Sequence, residues 1–140
     1  ALLEGPDGRT LYRIATDALE NPRLSEKDLE ARVERVAETE PTDGLWIDGR
    51  GRLYLSAIEQ DAVKVRDGDR ITTLVQDKRL RWPDTFSEGP DGTVYVTSSR
   101  IQDMSWFRPE TGPRLETQLW RIESGQNGEA TGPAGQPQRP

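Results

Sequence analysis

The chain has 140 residues, a net charge of −6 and a pI near 4.8, which leaves no basic surface to track nucleic-acid phosphates. It holds no apolar run of the roughly 18 residues that a membrane helix needs and no signal-peptide pattern, so nothing in the sequence spans or targets a membrane. With neither Cys nor His it lacks disulfides, thiol nucleophiles and the commonest general base; an oxygen-rich metal site of the remaining types suits Ca²⁺ or another hard divalent cation.

The first predicted element follows the Gly5-Pro6-Asp7-Gly8 turn signal, where Leu11-Tyr12-Arg13-Ile14 reads as a strand. The tetrad of two apolar residues, a base and an aliphatic residue returns at Ala62-Val63-Lys64-Val65 and at Leu119-Trp120-Arg121-Ile122. We align the three as one recurring third strand, its basic residue facing outward. The chain opens at Ala1-Leu2-Leu3, without Met, as though inside an element.

Residues 25–37 read as a short helical insertion. Ser25 precedes Glu26, Lys27 and Asp28, a capping hydroxyl followed by acidic residues in the first turn, which predicts a helix to about Ala31 with Leu29 and Val33 turned inward. The run 33–37 fits either helix or an outer strand.

From residue 42 the sequence repeats itself. Asp43 and Asp84, Leu45 and Phe86, Gly51 and Gly92, and Tyr54 and Tyr95 are each 41 positions apart. Alternation at Leu45, Ile47, Leu53 and Leu55, broken by Gly49-Arg50-Gly51, is that of a β-hairpin, and Phe86, Asp91-Gly92, Val94 and Val96 repeat it. Further strands are predicted at 62–65, 71–75 and 118–122. A repeat of this length built of strands predicts an all-β fold, a β-propeller. The blades fall at 42–77 and 83–122, after the end of an earlier blade, so residues 1–123 form an incomplete arc of two to three blades and 124–140 a disordered tail rich in Gly, Pro and Gln. A closed ring needs about four to eight blades, so the sequence reads as a piece of a larger protein. In the loop 100–117, Trp106 and Phe107 are expected to pack onto the blade; an aromatic lid is the other reading.

The first strand of a propeller blade lines the channel, so Asp43 and Asp84 are expected at one depth. Two converging carboxylates raise a pKa or bind a cation; the structural alternative is that each caps its own turn. Trp82 either walls a ligand pocket or packs between blades, and Ser98 and Ser99, at a strand end, offer hydrogen bonds to a ligand. No base accompanies them to make a nucleophile.

Thr10-Leu11-Tyr12-Arg13-Ile14-Ala15-Thr16, Thr42-Asp43-Gly44-Leu45, Gly51-Arg52-Leu53-Tyr54, Leu74-Val75-Gln76-Asp77 and Arg81-Trp82-Pro83-Asp84-Thr85 resemble the major royal jelly and yellow protein family, whose bacterial members are called L-dopachrome tautomerase-related. The likeness covers roughly residues 10–122. It implies a six-bladed propeller of which this chain is the C-terminal half, the N-terminal half being missing. It also implies an extracellular or periplasmic protein that holds a small molecule in its channel, and an isomerase of the dopachrome-converting kind; Asp84, Trp82, Ser98 and Ser99 are the residues expected to contact such a ligand. Family members often carry Asn where Ser99 stands. A more distant likeness to gluconolactonase-type propellers makes Asp43 a metal ligand and a metal-dependent lactonase the alternative. A non-catalytic secreted binding protein or inactive fragment is the third expectation.

Overall fold

The computed structural model describes residues 1–4, 8–110 and 116–122. The fold is all-β: among the described residues there are three antiparallel sheets, none closed on itself. The chain divides into two compact units, Ala1–Thr42 and Asp43–Pro140.

In the first unit β1 (Leu2–Glu4), β2 (Thr10–Arg13) and β3 (Glu34–Glu38) pair in that order. The β1–β2 ladder continues to the terminus, where the Ala1 ammonium donates to the Ile14 carbonyl at 2.7 Å. Between β2 and β3 lie two short helices, α1 (Thr16–Leu19) and α2 (Glu26–Glu30). The cap expected at Ser25 is present in both directions: its hydroxyl accepts from Asp28 N–H and the Asp28 carboxylate accepts from Ser25 N–H. Of the two readings open for 33–37 the strand holds, and the helix in the insertion expected over 25–37 ends about where the sequence predicts. It stops at Glu30, and 34–38 is a strand on β2, with a bulge between Leu11 and Tyr12. Val33, expected inward, is 37% exposed. A helix of this length buries little, and ladder hydrogen bonds along β2 outweigh the few that further helical turns would supply.

The second unit carries the repeat. One meander runs β4 (Thr42–Ile47), β5 (Leu53–Ala57), β6 (Ala62–Asp67) and β7 (Arg70–Gln76); the other runs β8 (Pro83–Glu88), β9 (Val94–Ser98) and β10 (Gln118–Ile122). β4 and β8, like β5 and β9, begin 41 positions apart. The turns match too: Gly51 and Gly92 hold φ of +81° and +78°, a conformation that strains any residue with a Cβ.

One hydrophobic cluster joins the two sheets. Tyr54, Val63, Val65 and Val75 come from the first, Phe86, Val94, Val96, Trp120 and Ile122 from the second, and Leu80 from the connection between them. Each such side chain contributes about 1.5–3 kcal/mol when fully buried. The two sheets use opposite faces of the repeat. Tyr54 faces the cluster from β5, whereas in β9 the equivalent Tyr95 does not and its neighbours Val94 and Val96 do. Successive modules therefore stack head to tail, the back of one on the front of the next.

The third strands do not align as the tetrads suggested. Lys64 lies opposite Leu55, but Trp120 rather than Arg121 lies opposite Val96, the residue equivalent to Leu55. The cause is the connection: a short 3₁₀ turn, Ile58–Gln60, leads into β6, whereas β10 follows a long loop. A one-residue slip puts every side chain on the other face, which is how Trp120 enters the core. The tail expected at 124–140 lies outside the described residues.

Candidate functional site

In an antiparallel meander, alternate turns fall at the same end of the sheet. The starts of β4, β6 and β8 and the ends of β5, β7 and β9 thus share one end of the second unit, and the candidate residues gather there. That end is also where backbone strain concentrates. Among the described residues, Asp61, Trp82 and Arg100 are the non-glycine positions with positive φ, at 49°, 55° and 55°. Each such position costs on the order of 1–3 kcal/mol and persists only where its surroundings enforce it, often at a functional site.

Asp43 is built into place from β5. Ser56, wholly buried, accepts the backbone N–H of Asp43 at 3.1 Å and of Gly44 at 2.7 Å on its hydroxyl oxygen. The next module repeats the device: Thr97, 41 positions on from Ser56, accepts the N–H of Thr85, the equivalent of Gly44, at 3.1 Å. Sequence reading missed both hydroxyls, although their shared offset was the signal. Asp43 is itself exposed, and its Oδ2 accepts the Trp82 indole N–H at 2.6 Å. The Trp82 carbonyl in turn accepts the Ser99 N–H at 3.0 Å. Asp43, Trp82 and Ser99 thus form one hydrogen-bonded group.

Asp84 enters through its backbone. A Cβ on Gly44 would overlap the Asp84 carbonyl oxygen and stand 2.7 Å from its carbonyl carbon, so β4 and β8 touch where residue 44 has no side chain. The Asp84 carboxylate accepts from the Thr85 hydroxyl at 3.0 Å. Each of the two equivalent carboxylates therefore meets a neutral donor, Asp84 the hydroxyl of the next residue and Asp43 an indole 39 positions away rather than its own turn.

Ser98 stands apart, against expectation. It is 0% exposed and its hydroxyl accepts the Trp120 indole N–H at 3.0 Å, so it satisfies a buried donor in the core and presents nothing to a ligand. Trp106 and Phe107 depart from expectation in the other direction. They stack on each other with centroids 5.9 Å apart and stay 77% and 60% exposed instead of packing on the sheet.

Asp103, on a 3₁₀ turn at Ile101–Asp103, was also missed. It is buried, and Arg81 grips it with Nε at 2.8 Å and Nη2 at 2.7 Å. These hydrogen bonds hold its carboxyl below the usual range against the opposing effect of burial. Asp61 shifts the other way: burial pushes its carboxyl up, countered by the charge of Arg81. For the metal role expected of Asp43, no group of three His, Cys, Asp or Glu side chains that could hold an ion gathers among the described residues.

No protein-family model matches the chain, and none of the curated proteins matches it.

Proposed function

We propose that the two stacked meanders are consecutive blades of a β-propeller of the royal jelly and yellow type, and that the end carrying Asp43, Trp82 and Ser99 binds a small cationic aromatic molecule. Two features support the blade reading: the constant offset between the modules, and their head-to-tail stacking, which extends naturally to further copies. The binding reading rests on a single observation, the exposed Asp43 carboxylate held against the Trp82 indole at 2.6 Å. A fixed carboxylate beside an aromatic ring suits an ammonium group, which gains a charge-assisted hydrogen bond from the one and a cation–π contact of about 0.5–2 kcal/mol from the other.

The activity that fits is isomerisation of the dopachrome-converting kind, a proton transfer within reach of a carboxylate. Asp43 is the exposed group to carry it. By the same resemblance the protein is extracellular or periplasmic, and the rest of the ring comes from sequence beyond this half.

Calorimetric titration with dopamine and with Ca²⁺, alongside an absorbance assay with L-dopachrome, tests this. Metal-independent dopamine binding that weakens at least roughly tenfold in Asp43→Asn is the expected result, from loss of one charged hydrogen bond. Ca²⁺ binding abolished by that substitution, with no amine binding, would instead favour the metal-dependent lactonase. Silence to all three ligands would leave a non-catalytic fragment.

A further inference from the structure

Trp82 reaches Asp43 from a backbone conformation that bulky residues avoid. Its φ is +55°, and so is that of Arg100 across the end of the β8–β9 hairpin. The repeat does not demand this bend. The residues 41 positions earlier are Pro41, whose ring confines φ to about −65°, and Glu59, which is not among the positive-φ residues. The entry to β8 thus carries strain that the equivalent entry to β4 lacks, and such strain persists only where neighbours hold it.

Three ties hold it, and Arg81 supplies two. The Trp82 carbonyl accepts the Ser99 N–H at 3.0 Å, the Arg81 carbonyl accepts the Arg100 N–H at 3.2 Å, and the Arg81 guanidinium donates to both oxygens of Asp103 at 2.8 and 2.7 Å. The left-handed Arg100 prepares the last of these. It opens the 3₁₀ turn that the Asp103 N–H closes on the Arg100 carbonyl, and the turn brings Asp103 to Arg81. A bidentate fork on a carboxylate only 7% exposed fixes direction as well as distance, which restrains residue 81 and with it the direction in which Trp82 leaves. What the bend achieves is the placement of one half-buried indole, whose N–H meets the Asp43 carboxylate.

We propose that Arg81 and Asp103 are positioning residues for the amine site, their ion pair holding Trp82 in its left-handed conformation so that the indole stays against Asp43. Both act through Trp82 and not through contact with the amine. The amine as ligand rests on the reading above; the placement of the indole does not.

A ¹H–¹⁵N correlation spectrum of the Trp82 indole, together with calorimetric titration with dopamine, tests this in Asp103→Asn and Arg81→Gln. In both variants the Trp82 indole proton is expected to move upfield and exchange faster while that of Trp120 stays in place, and dopamine affinity to fall roughly threefold or more, the size of a weakened cation–π contact. On a Trp82→Ala background Asp103→Asn is expected to cost no further affinity, as it must if it acts through that ring. Arg52→Gln, which breaks a comparable pair with the enclosed Asp48 at the other end of β4 and β5, is expected to leave the Trp82 resonance and the affinity as they are. Far-UV circular dichroism checks folding; if either variant unfolds, Arg81→Lys, which keeps the charge without the fork, decides by the same resonance. A Trp82 resonance unmoved in the folded variants, or an equal shift in Arg52→Gln, would overturn the positioning role. Absence of dopamine binding in the parent would sink the amine reading alone, since the resonance still decides what Arg81 and Asp103 hold.

Discussion

Replacing Gly44 by Ala sets one methyl group against backbone. The added Cβ would overlap the Asp84 carbonyl oxygen and press on its carbon at 2.7 Å, with the Phe86 ring at 3.5 Å. A flexible side chain could swing aside, but a backbone carbonyl in β8 cannot move without its strand. Overpacking a core typically costs about 1–3 kcal/mol, and an obstacle made of backbone belongs at or above the top of that range. Parting β4 from β8 also stretches the Asp43–Trp82 hydrogen bond. We expect a loss of about 3 kcal/mol or more, a large share of the ~5–15 kcal/mol that holds a domain together. Two neighbouring glycines give the scale. Gly51 has open space around it but a φ of +81°, so its Ala variant meets strain alone and loses about 1 kcal/mol. Gly49 has open space and no positive φ, so its Ala variant stays within about 0.5 kcal/mol. Urea denaturation followed by tryptophan fluorescence reads all three, with the Gly44 variant's midpoint falling by roughly 1.5 M at a typical slope. A Gly44→Ala midpoint equal to that of Gly49→Ala would refute the close approach of β4 and β8.

The buried hydroxyls give a second set. Ser56→Ala leaves two backbone N–H groups without their acceptor, and Ser98→Ala leaves the Trp120 indole N–H unsatisfied. Each is expected to lose about 1–3 kcal/mol, Ser56→Ala the more, in the same denaturation assay; a change below about 0.5 kcal/mol in either would contradict the assignment. The two shifted carboxyls give opposite pH dependences. Asp103 has its folded pKa depressed below the ordinary 3.8 by Arg81, so it contributes stability above that value and loses it as pH falls through the folded pKa. Asp103→Asn should therefore lower the melting temperature at neutral pH, with the gap from the parent closing in acid. Asp61, with its pKa raised above 3.8 by burial, weakens the fold when ionised. Asp61→Asn, which also tolerates positive φ, should raise the melting temperature at pH 7, and the difference should vanish as pH falls through the raised value. A gap that does not change with pH would contradict either assignment.

The strands were legible because their cause is local. Alternation at Val94 and Val96, and turn residues at Gly51 and Gly92, act within a few positions, and the repeat states them twice. The α2 cap was legible for the same reason, since Ser25 and Asp28 need only each other. What escaped depends on the third dimension. Val33, expected inward, carries no local sign of its exposure, and the slip between Lys64 and Trp120 follows from the length of a loop and not from the strand's wording. Asp103 finds Arg81 across 22 positions, and Ser56 reaches Asp43 across 13. Ser98 shows the limit of a positional argument: a hydroxyl at a strand end serves a ligand or a buried indole according to which face its neighbours cover. Trp106 and Phe107 show that the average preference of aromatics for burial does not fix any one pair.

The account depends on two modules meeting at one end, so that the carboxylate opening the first engages the indole that precedes the second. The Trp82 indole N–H resonance, assigned by its loss in Trp82→Phe, reports this directly in a ¹H–¹⁵N correlation spectrum. A hydrogen bond to Asp43 predicts a downfield, slowly exchanging proton that moves upfield and exchanges faster in Asp43→Asn, while the Trp120 indole proton, bonded to Ser98, stays where it was. A Trp82 resonance that Asp43→Asn leaves unchanged in shift and exchange rate would contradict it.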